Sequence, residues 1–307
     1  MITFGYEDKN TPVHRANPAI KLMWVVDVLV LSLAFDDPLY LGLIFLATLP
    51  VVYIAHILKE WFSIIKLIVF LAPFIVVLNV AFNHNGSTVL YDAGFWIPFV
   101  GSPVVTLEAL FYGLAMCVRL LSILSAFVVL TFTIHPDDLM LLMLKLKVPY
   151  RSVLITSMST RFLPTLMEDA KTITDVQRSR GLEMDTGSII QRIKNRIPVL
   201  VPLLANSLDR SVQIAEAMES RAFGSGKGRT FYREVAFSRW DKVMALIMLS
   251  PLALGLAGRL AFGLGTYQYY PSLQPFALEP LSALALVMVV LVLNTLPVPT
   301  MTGGVNT

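Results

Sequence analysis

The sequence predicts an all-α polytopic membrane protein with about six transmembrane helices and a cytoplasmic helical domain inserted before the last two. Three observations predict this fold class. Hydrophobic residues make up 56% of the 307 residues and charged residues only 15%, a balance typical of membrane proteins. Six apolar stretches approach the roughly 17–25 residues that a helix needs to cross a hydrocarbon core. One long polar segment separates the fourth stretch from the fifth.

The apolar stretches set the predicted spans. They run from Ile20 to Phe35, Leu39 to Leu58, Ile64 to Phe82, Val105 to Ile134, Val243 to Leu264 and Leu281 to Val298. The first is the shortest and carries Asp27, so a tilted or partly interfacial helix is an alternative there. No small-residue cleavage site follows it, so we expect it to be retained as a span. Between the third and fourth spans, Asn83–Pro103 predicts an outer loop that partly re-enters the interface.

The distribution of basic residues predicts the orientation. Of the 24 lysines and arginines, 17 lie between Pro136 and Lys242, and the connections after spans one, three and five contain none. Because basic residues accumulate on the cytoplasmic side, both termini and the polar insert are predicted to be cytoplasmic in a multi-pass protein of the cell membrane. The predicted domains are therefore membrane helices one to four in 1–135, cytoplasmic helices in 136–241, and membrane helices five and six in 242–307.

The insert has the pattern of three helices. Pro136 with two following carboxylates predicts the first turn of a short amphipathic helix. Apolar residues at steps of three and four predict one face of a longer helix over Ser152–Arg180, which Pro164 is expected to kink. The same spacing from Ile193 to Ala215, through Ile197, Val201, Leu204, Leu208 and Val212, predicts a second face. We expect the two faces to pack against each other as an antiparallel or crossed pair.

The two long helices end in similar motifs, 41 residues apart. The first reads Gln177-Arg178-Ser179-Arg180-Gly181 and the second Ser220-Arg221-Ala222-Phe223-Gly224. A glycine just past the last turn supplies the left-handed conformation that ends a helix, so each arginine is expected at a rigid tip. A single arginine of this kind is usually a helix cap, but a repeated one favours two equivalent docking points that pair with carboxylates.

These residues resemble the transmembrane coupling proteins of energy-coupling factor transporters, the EcfT/CbiQ family. The resemblance covers about residues 105–245 at the level of motifs. It rests on the two arginine motifs and on Ala217–Gly224, Gly228-Arg229-Thr230, Tyr232-Arg233, Thr131–Pro136, Val148-Pro149 and Arg161–Pro164. The commonest family motif is Ala-Arg-Gly, and this chain has Ser179 and Ser220 at the first position and Ala222 at the third. Each of these three differences from the family motif replaces one small residue with another.

The resemblance implies partners and roles. In the family, each motif arginine enters a groove on one of two ABC-type ATPases, so Arg180 and Arg221, with Ser179, Gly181, Ser220 and Ala222 beside them, would dock the ATPases here. A substrate-binding membrane subunit, the S-component, would be the other protein partner, with membrane lipid around the spans and no nucleic acid. The imported compound would be a vitamin or a transition-metal ion. ATP and magnesium would belong to the ATPases, and no cofactor, metal or catalytic residue is assigned to this chain.

Two arginines lie inside predicted spans. Arg119 carries a charge that is costly in hydrocarbon, so we expect an ion pair with Glu108 or Asp27, or a contact with a backbone carbonyl. A moving part of the coupling mechanism and a substrate contact are the alternatives. Arg259 is either paired or marks a shorter span.

A stand-alone secondary transporter or channel is the alternative function. It requires several polar groups at the membrane midplane, and the spans offer few. A membrane enzyme would need a catalytic constellation, and the sequence contains no H-E-x-x-H motif, Walker loop or nucleophile elbow.

Overall fold

The computed structural model describes residues 9–83, 86–92, 104–183, 186–225 and 239–273. These residues form helices α1 Pro12–Arg15, α2 Pro18–Ala34, α3 Pro38–Ile54, α4 Leu58–Phe82, α5 Leu107–Thr133, α6 Pro136–Lys145, α7 Tyr150–Ser179, α8 Ile189–Ser220 and α9 Arg239–Phe262, and strands β1 Val89–Asp92 and β2 Val104–Thr106. The chain divides into a helical unit, Met140–Glu234, and a membrane unit, Thr3–Leu139 with Val235–Thr307. The structure is that of an all-α membrane protein.

Five predicted spans correspond to helices α2, α3, α4, α5 and α9. Among the described helices, α4, α5 and α9 are both long and apolar enough to cross a membrane, and α3 is a shorter apolar helix of 17 residues. At 1.5 Å per residue, α2 and α3 are each only about 26 Å long. The sixth predicted span, Leu281–Val298, lies outside the described residues.

The first three helices begin with the same local arrangement. Each has a proline at its first position, where the missing N–H costs nothing. Each is preceded by a residue whose side chain accepts a hydrogen bond from the first turn: Thr11 from His14 N, Asn17 from Ala19 N and Asp37 from Leu39 N. These caps fix where α1, α2 and α3 begin.

Helix α2 contributes several residues to the buried core of the membrane unit. It packs against α5 and α9, and its Trp24, Val28 and Leu31 are fully buried. Trp61, at the beginning of α4, donates its indole N–H to Ser125 Oγ on α5 over 2.9 Å. The rest of α4 is largely exposed, with Phe70 81% exposed. An apolar helix with an exposed apolar surface suits contact with lipid or with another membrane protein.

The connection between α4 and α5 contains two strands where the sequence predicts only a loop. Strands β1 and β2 pair antiparallel, with Asp92 opposite Val104 and Val89 opposite Thr106. Glu108 fixes the hairpin to α5, because its carboxylate accepts hydrogen bonds from the backbone and hydroxyl of Thr88. The residues between the strands, where the re-entrant part of the loop is predicted, lie outside the described residues.

Helices α7 and α8 form the core of the helical unit and pack against each other. The predicted face of α7 is half-buried from Leu154 to Ile173, whereas its last residue, Val176, is 45% exposed. Arg210 on α8 also contacts Asp169 on α7, with 3.2 Å between guanidinium and carboxylate. Pro164 lies inside α7; the kink predicted there stays a prediction.

The prediction for the face of α8 is wrong. Its apolar residues Ile193, Ile197, Val201, Leu204, Leu208 and Val212 are 50–67% exposed. The apolar residues that are buried or half-buried are instead Pro198, Val199, Pro202, Leu203, Ile214 and Met218. Helix α8 is therefore apolar on two faces, and only one of them is covered.

Candidate protein-docking site

The end of α7 has the hydrogen bonds of a Schellman motif. The N–H of Leu182 donates to the carbonyl of Gln177 over 3.0 Å, and the N–H of Gly181 donates to the carbonyl of Arg178 over 3.0 Å. Gly181 has a φ of +83°, the left-handed conformation that this cap requires. Arg180 occupies the C-cap position, the last residue before the chain turns away.

The end of α8 repeats this geometry residue for residue. The N–H of Phe223 donates to the carbonyl of Met218 over 2.9 Å, and the N–H of Ala222 donates to the carbonyl of Glu219 over 2.8 Å. Arg221 is again the C-cap residue, and Ala222 takes the left-handed position with a φ of +54°. The motif repeat in the sequence is therefore also a repeat in backbone structure.

Both C-cap arginines are exposed, and neither guanidinium makes a hydrogen bond or ion pair with the described residues. The neighbouring serines bond within their own helices: Ser179 Oγ donates to the carbonyl of Asp175 and Ser220 Oγ to that of Ala217, each over 3.0 Å. The serines therefore leave the approach to each arginine open. A cation at a helix C-terminus is favoured by the dipole, which holds the guanidinium near the tip without using its donors.

The two arginine tips lie at opposite ends of the α7–α8 pair. Tyr150, at the beginning of α7, contacts Phe223 just beyond α8, with ring centroids 6.2 Å apart. Gln177, near the end of α7, donates to the carbonyl of Pro198 in the first third of α8 over 3.4 Å. The helices are thus antiparallel. The 30 residues of α7 separate the tips by about 45 Å along its axis, more than the diameter of a small domain.

Arg119, in the middle of α5, takes part in an ion-pair cluster within the membrane unit. Its Nη2 donates to Asp36 Oδ1 over 2.8 Å and to the carbonyl of Phe35 over 2.7 Å. Arg259 of α9 contacts the other oxygen of Asp36 over 3.0 Å, and the hydroxyl of Tyr269 donates to the Asp36 carbonyl over 2.7 Å. Burial raises the pKa of the Tyr269 hydroxyl above its usual range.

The two carboxylates that the sequence predicts as partners of Arg119 do not contact it. Glu108 binds the β1 segment, and Asp27 is buried elsewhere on α2. The expected carbonyl contact is present at Phe35, while Asp36 was missed because it lies outside the apolar stretches. One sequence signal points to Asp36. Two adjacent carboxylates, Asp36 and Asp37, lie between two predicted spans, in a chain that has arginines inside other spans.

The fold and this site define a class: a polytopic α-helical membrane protein whose separate helical unit presents two arginine-tipped helix ends. Comparison with known proteins identifies the family within this class. The family model described as CbiQ, cobalt transport protein, matches residues 9–232. The chain belongs to this family of energy-coupling factor transporter transmembrane proteins, EcfT/CbiQ.

Several curated relatives carry the name energy-coupling factor transporter transmembrane protein EcfT. The protein of Streptococcus thermophilus is 33% identical over 253 residues, which cover 80% of this chain and 92% of the relative. The protein of Staphylococcus aureus is 31% identical, over 83% of this chain and 95% of the relative. The protein of Bacillus subtilis is 30% identical, over 82% and 96%. The similarity thus extends over nearly the whole length of these relatives.

Proposed function

We propose that the chain is the coupling subunit of an ATP-driven importer, which transmits the ATP-dependent motion of two ATPase subunits to a substrate-binding membrane subunit. It is the non-catalytic part of the complex, and ATP and magnesium bind to the ATPases. The cargo is a vitamin or a transition-metal ion, selected by the substrate-binding subunit. The protein lies in the cell membrane, with its N-terminus and helical unit in the cytoplasm.

One observation carries this proposal: the duplicated C-cap with an exposed arginine at each end of the antiparallel α7–α8 pair. A guanidinium offers donors in a planar fork that matches a carboxylate, and the Schellman turn holds it in one place. Two similar tips about 45 Å apart suit two similar partners better than one. When the ATPases close around ATP, they would pull on the two arginine tips. Because α7 and α8 pack against each other, the two helices would then move together.

The exposed apolar face of α8 suits the third partner. Its exposed residues extend from Ile193 to Val212, over about five helical turns. A continuous apolar surface of this size marks a protein or membrane interaction site. We assign it to the substrate-binding membrane subunit, because contact with α8 would couple that subunit directly to the helices that the ATPases move.

Charge reversal at the tips tests the proposal. Arg180→Glu and Arg221→Glu are made singly and together in a tagged chain that is co-expressed with the remaining subunits of its transporter. Because each tip would hold one ATPase, we expect each single variant to lose about half of the co-purified ATPase and the double variant to lose nearly all of it. Mass spectrometry of the solubilised complex and uptake of the cargo measure this.

Lys171→Glu is the matched control, because it reverses an exposed charge within α7 that belongs to neither C-cap. We expect it to leave ATPase recovery and uptake unchanged. Normal ATPase recovery and uptake in the double variant would refute the docking role. Uptake by the wild-type chain without any ATPase would favour a stand-alone transporter instead.

A further inference from the structure

A buried lysine at the beginning of α2 contacts two helix ends. Lys21 is 2% exposed, and its ammonium donates to the carbonyl of Thr133, the last residue of α5, over 2.8 Å. It also donates to the carbonyl of His14, in the last turn of α1, over 2.8 Å. The last carbonyls of a helix have no partner inside that helix and carry its negative partial charge, so a cation is favoured there.

Because Lys21 is buried, the loss of either hydrogen bond would be costly. A buried ammonium is costly unless its donors are satisfied, so Lys21 fixes the positions of the carbonyls that it binds. The end of α5 is thereby attached to the first turn of α2 by a charge-assisted hydrogen bond rather than by apolar packing alone.

The residue before α2 forms the corresponding contact with α9. Asn17 caps α2, because its Oδ1 accepts a hydrogen bond from Ala19 N over 3.0 Å. Its Nδ2 donates to the carboxylate of Asp241 over 3.1 Å. Asp241 lies in the first turn of α9 and is fully buried, where the helix dipole favours its negative charge. One amide group thus joins the beginnings of two helices.

These contacts occupy a special place in the chain. The helical unit, Met140–Glu234, is covalently joined to the membrane unit at two points, one after α5 and one before α9. Helix α6 begins at Pro136, three residues after Thr133. The end of α5 and the beginning of α9 are therefore the parts of the long membrane helices nearest to these junctions in the sequence, and Lys21 and Asn17 bind them.

We propose that Lys21 and Asn17 are positioning residues for energy coupling, which hold α2, α5 and α9 together so that motion entering through α5 and α9 moves the core of the membrane unit as one body. This inference rests on the proposed function. It predicts that a complex without the Lys21–Thr133 or the Asn17–Asp241 contact still assembles and hydrolyses ATP, but takes up less cargo per ATP hydrolysed.

The test compares Lys21→Met with the matched control Lys59→Met, an exposed lysine in the first turn of α4. Complexes with their ATPases are reconstituted into liposomes, and cargo uptake and ATP hydrolysis are measured together. We expect Lys21→Met to lower uptake per ATP hydrolysed about tenfold, a typical size for the loss of an energetic coupling. Lys21→Arg, which keeps a charged donor, should restore part of the ratio, and Lys59→Met should not change it.

Asn17→Ser provides a second variant that is less prone to disturb folding. Serine caps helices well, so α2 keeps its cap while the contact with Asp241 is lost. A purely structural role would lower uptake and ATP hydrolysis in proportion to the amount of complex, which leaves their ratio unchanged. An unchanged ratio in both variants overturns the inference. A wild-type chain that recruits no ATPase would instead overturn the proposed function.

Discussion

At the scale of single residues, the two helix caps differ in the residue that adopts the left-handed backbone conformation. Gly181 and Ala222 hold equivalent left-handed positions, with φ values of +83° and +54°. Glycine adopts this conformation without strain, whereas an alanine loses about 1 kcal/mol or more to its Cβ. A Cβ at Gly181 would meet no atom within 4 Å, so only the backbone conformation opposes it. The cap of α8 is therefore the weaker of the two.

Exchanging the two residues tests this difference. Gly181→Ala should destabilise the end of α7 by about 1 kcal/mol, and Ala222→Gly should stabilise the end of α8 by a similar amount. Hydrogen exchange of the last-turn amides in the purified protein measures both effects. We expect about fivefold faster exchange at the end of α7 in Gly181→Ala and slower exchange at the end of α8 in Ala222→Gly. The unaltered helix in each variant is the internal control. Equal rates in wild type and variants would contradict the cap assignment.

Asp36 shows where residue-level prediction failed. The sequence predicts Glu108, Asp27 or a backbone carbonyl as the partner of Arg119, and both of these carboxylates lie within apolar stretches. Helix α2 has 17 residues and α5 has 27, so they differ in length by about 15 Å. Because Lys21 at the beginning of α2 contacts Thr133 at the end of α5, the turn after the shorter helix lies beside the middle of the longer one, and Asp36 reaches Arg119. Helix lengths, and not composition, decided this contact.

At the scale of elements, the helices of the insert could be predicted from the sequence and the orientation of α8 could not. Apolar spacing located α7 and α8, and the arginine motifs located their C-terminal ends. Helix α8 carries apolar residues on two faces, however, and spacing alone does not say which face meets α7. Pro198, Val199, Pro202 and Leu203 form the covered side, while the more regular stripe through Leu204 is exposed.

Adjacent leucines on α8 separate these two faces. Leu203 is half-buried and Leu204 is 61% exposed. Leu203→Ala should lower the stability of the helical unit by about 1–2 kcal/mol, because it removes part of the contact with α7. Leu204→Ala should change stability by less than about 0.5 kcal/mol but reduce recovery of the substrate-binding subunit. Thermal unfolding and co-purification measure the two effects, and a reversed pattern would show that α8 faces the other way.

At the scale of the whole molecule, charge and covalent connection together describe how the chain would work. The basic residues concentrate between Pro136 and Lys242, which predicts the side of the membrane on which the helical unit lies. Of these residues, Arg180 and Arg221 occupy the two C-caps. On the proposed function, the basic character of the unit would serve mainly orientation, and the docking chemistry would be concentrated at these two arginines.

Orientation is the remaining prediction, and single-cysteine labelling tests it. In a Cys117→Ala background, which removes the one native thiol, a cysteine is placed at Tyr91 in β1 or at Ser225 just beyond α8, both exposed positions. The connection that contains β1 has no basic residue, whereas Ser225 lies in the basic segment, which resists translocation. We therefore expect a membrane-impermeant maleimide to label Tyr91→Cys in intact cells and Ser225→Cys only after permeabilisation. Labelling of Ser225→Cys in intact cells would place the helical unit outside, where it could not meet ATPases in the cytoplasm.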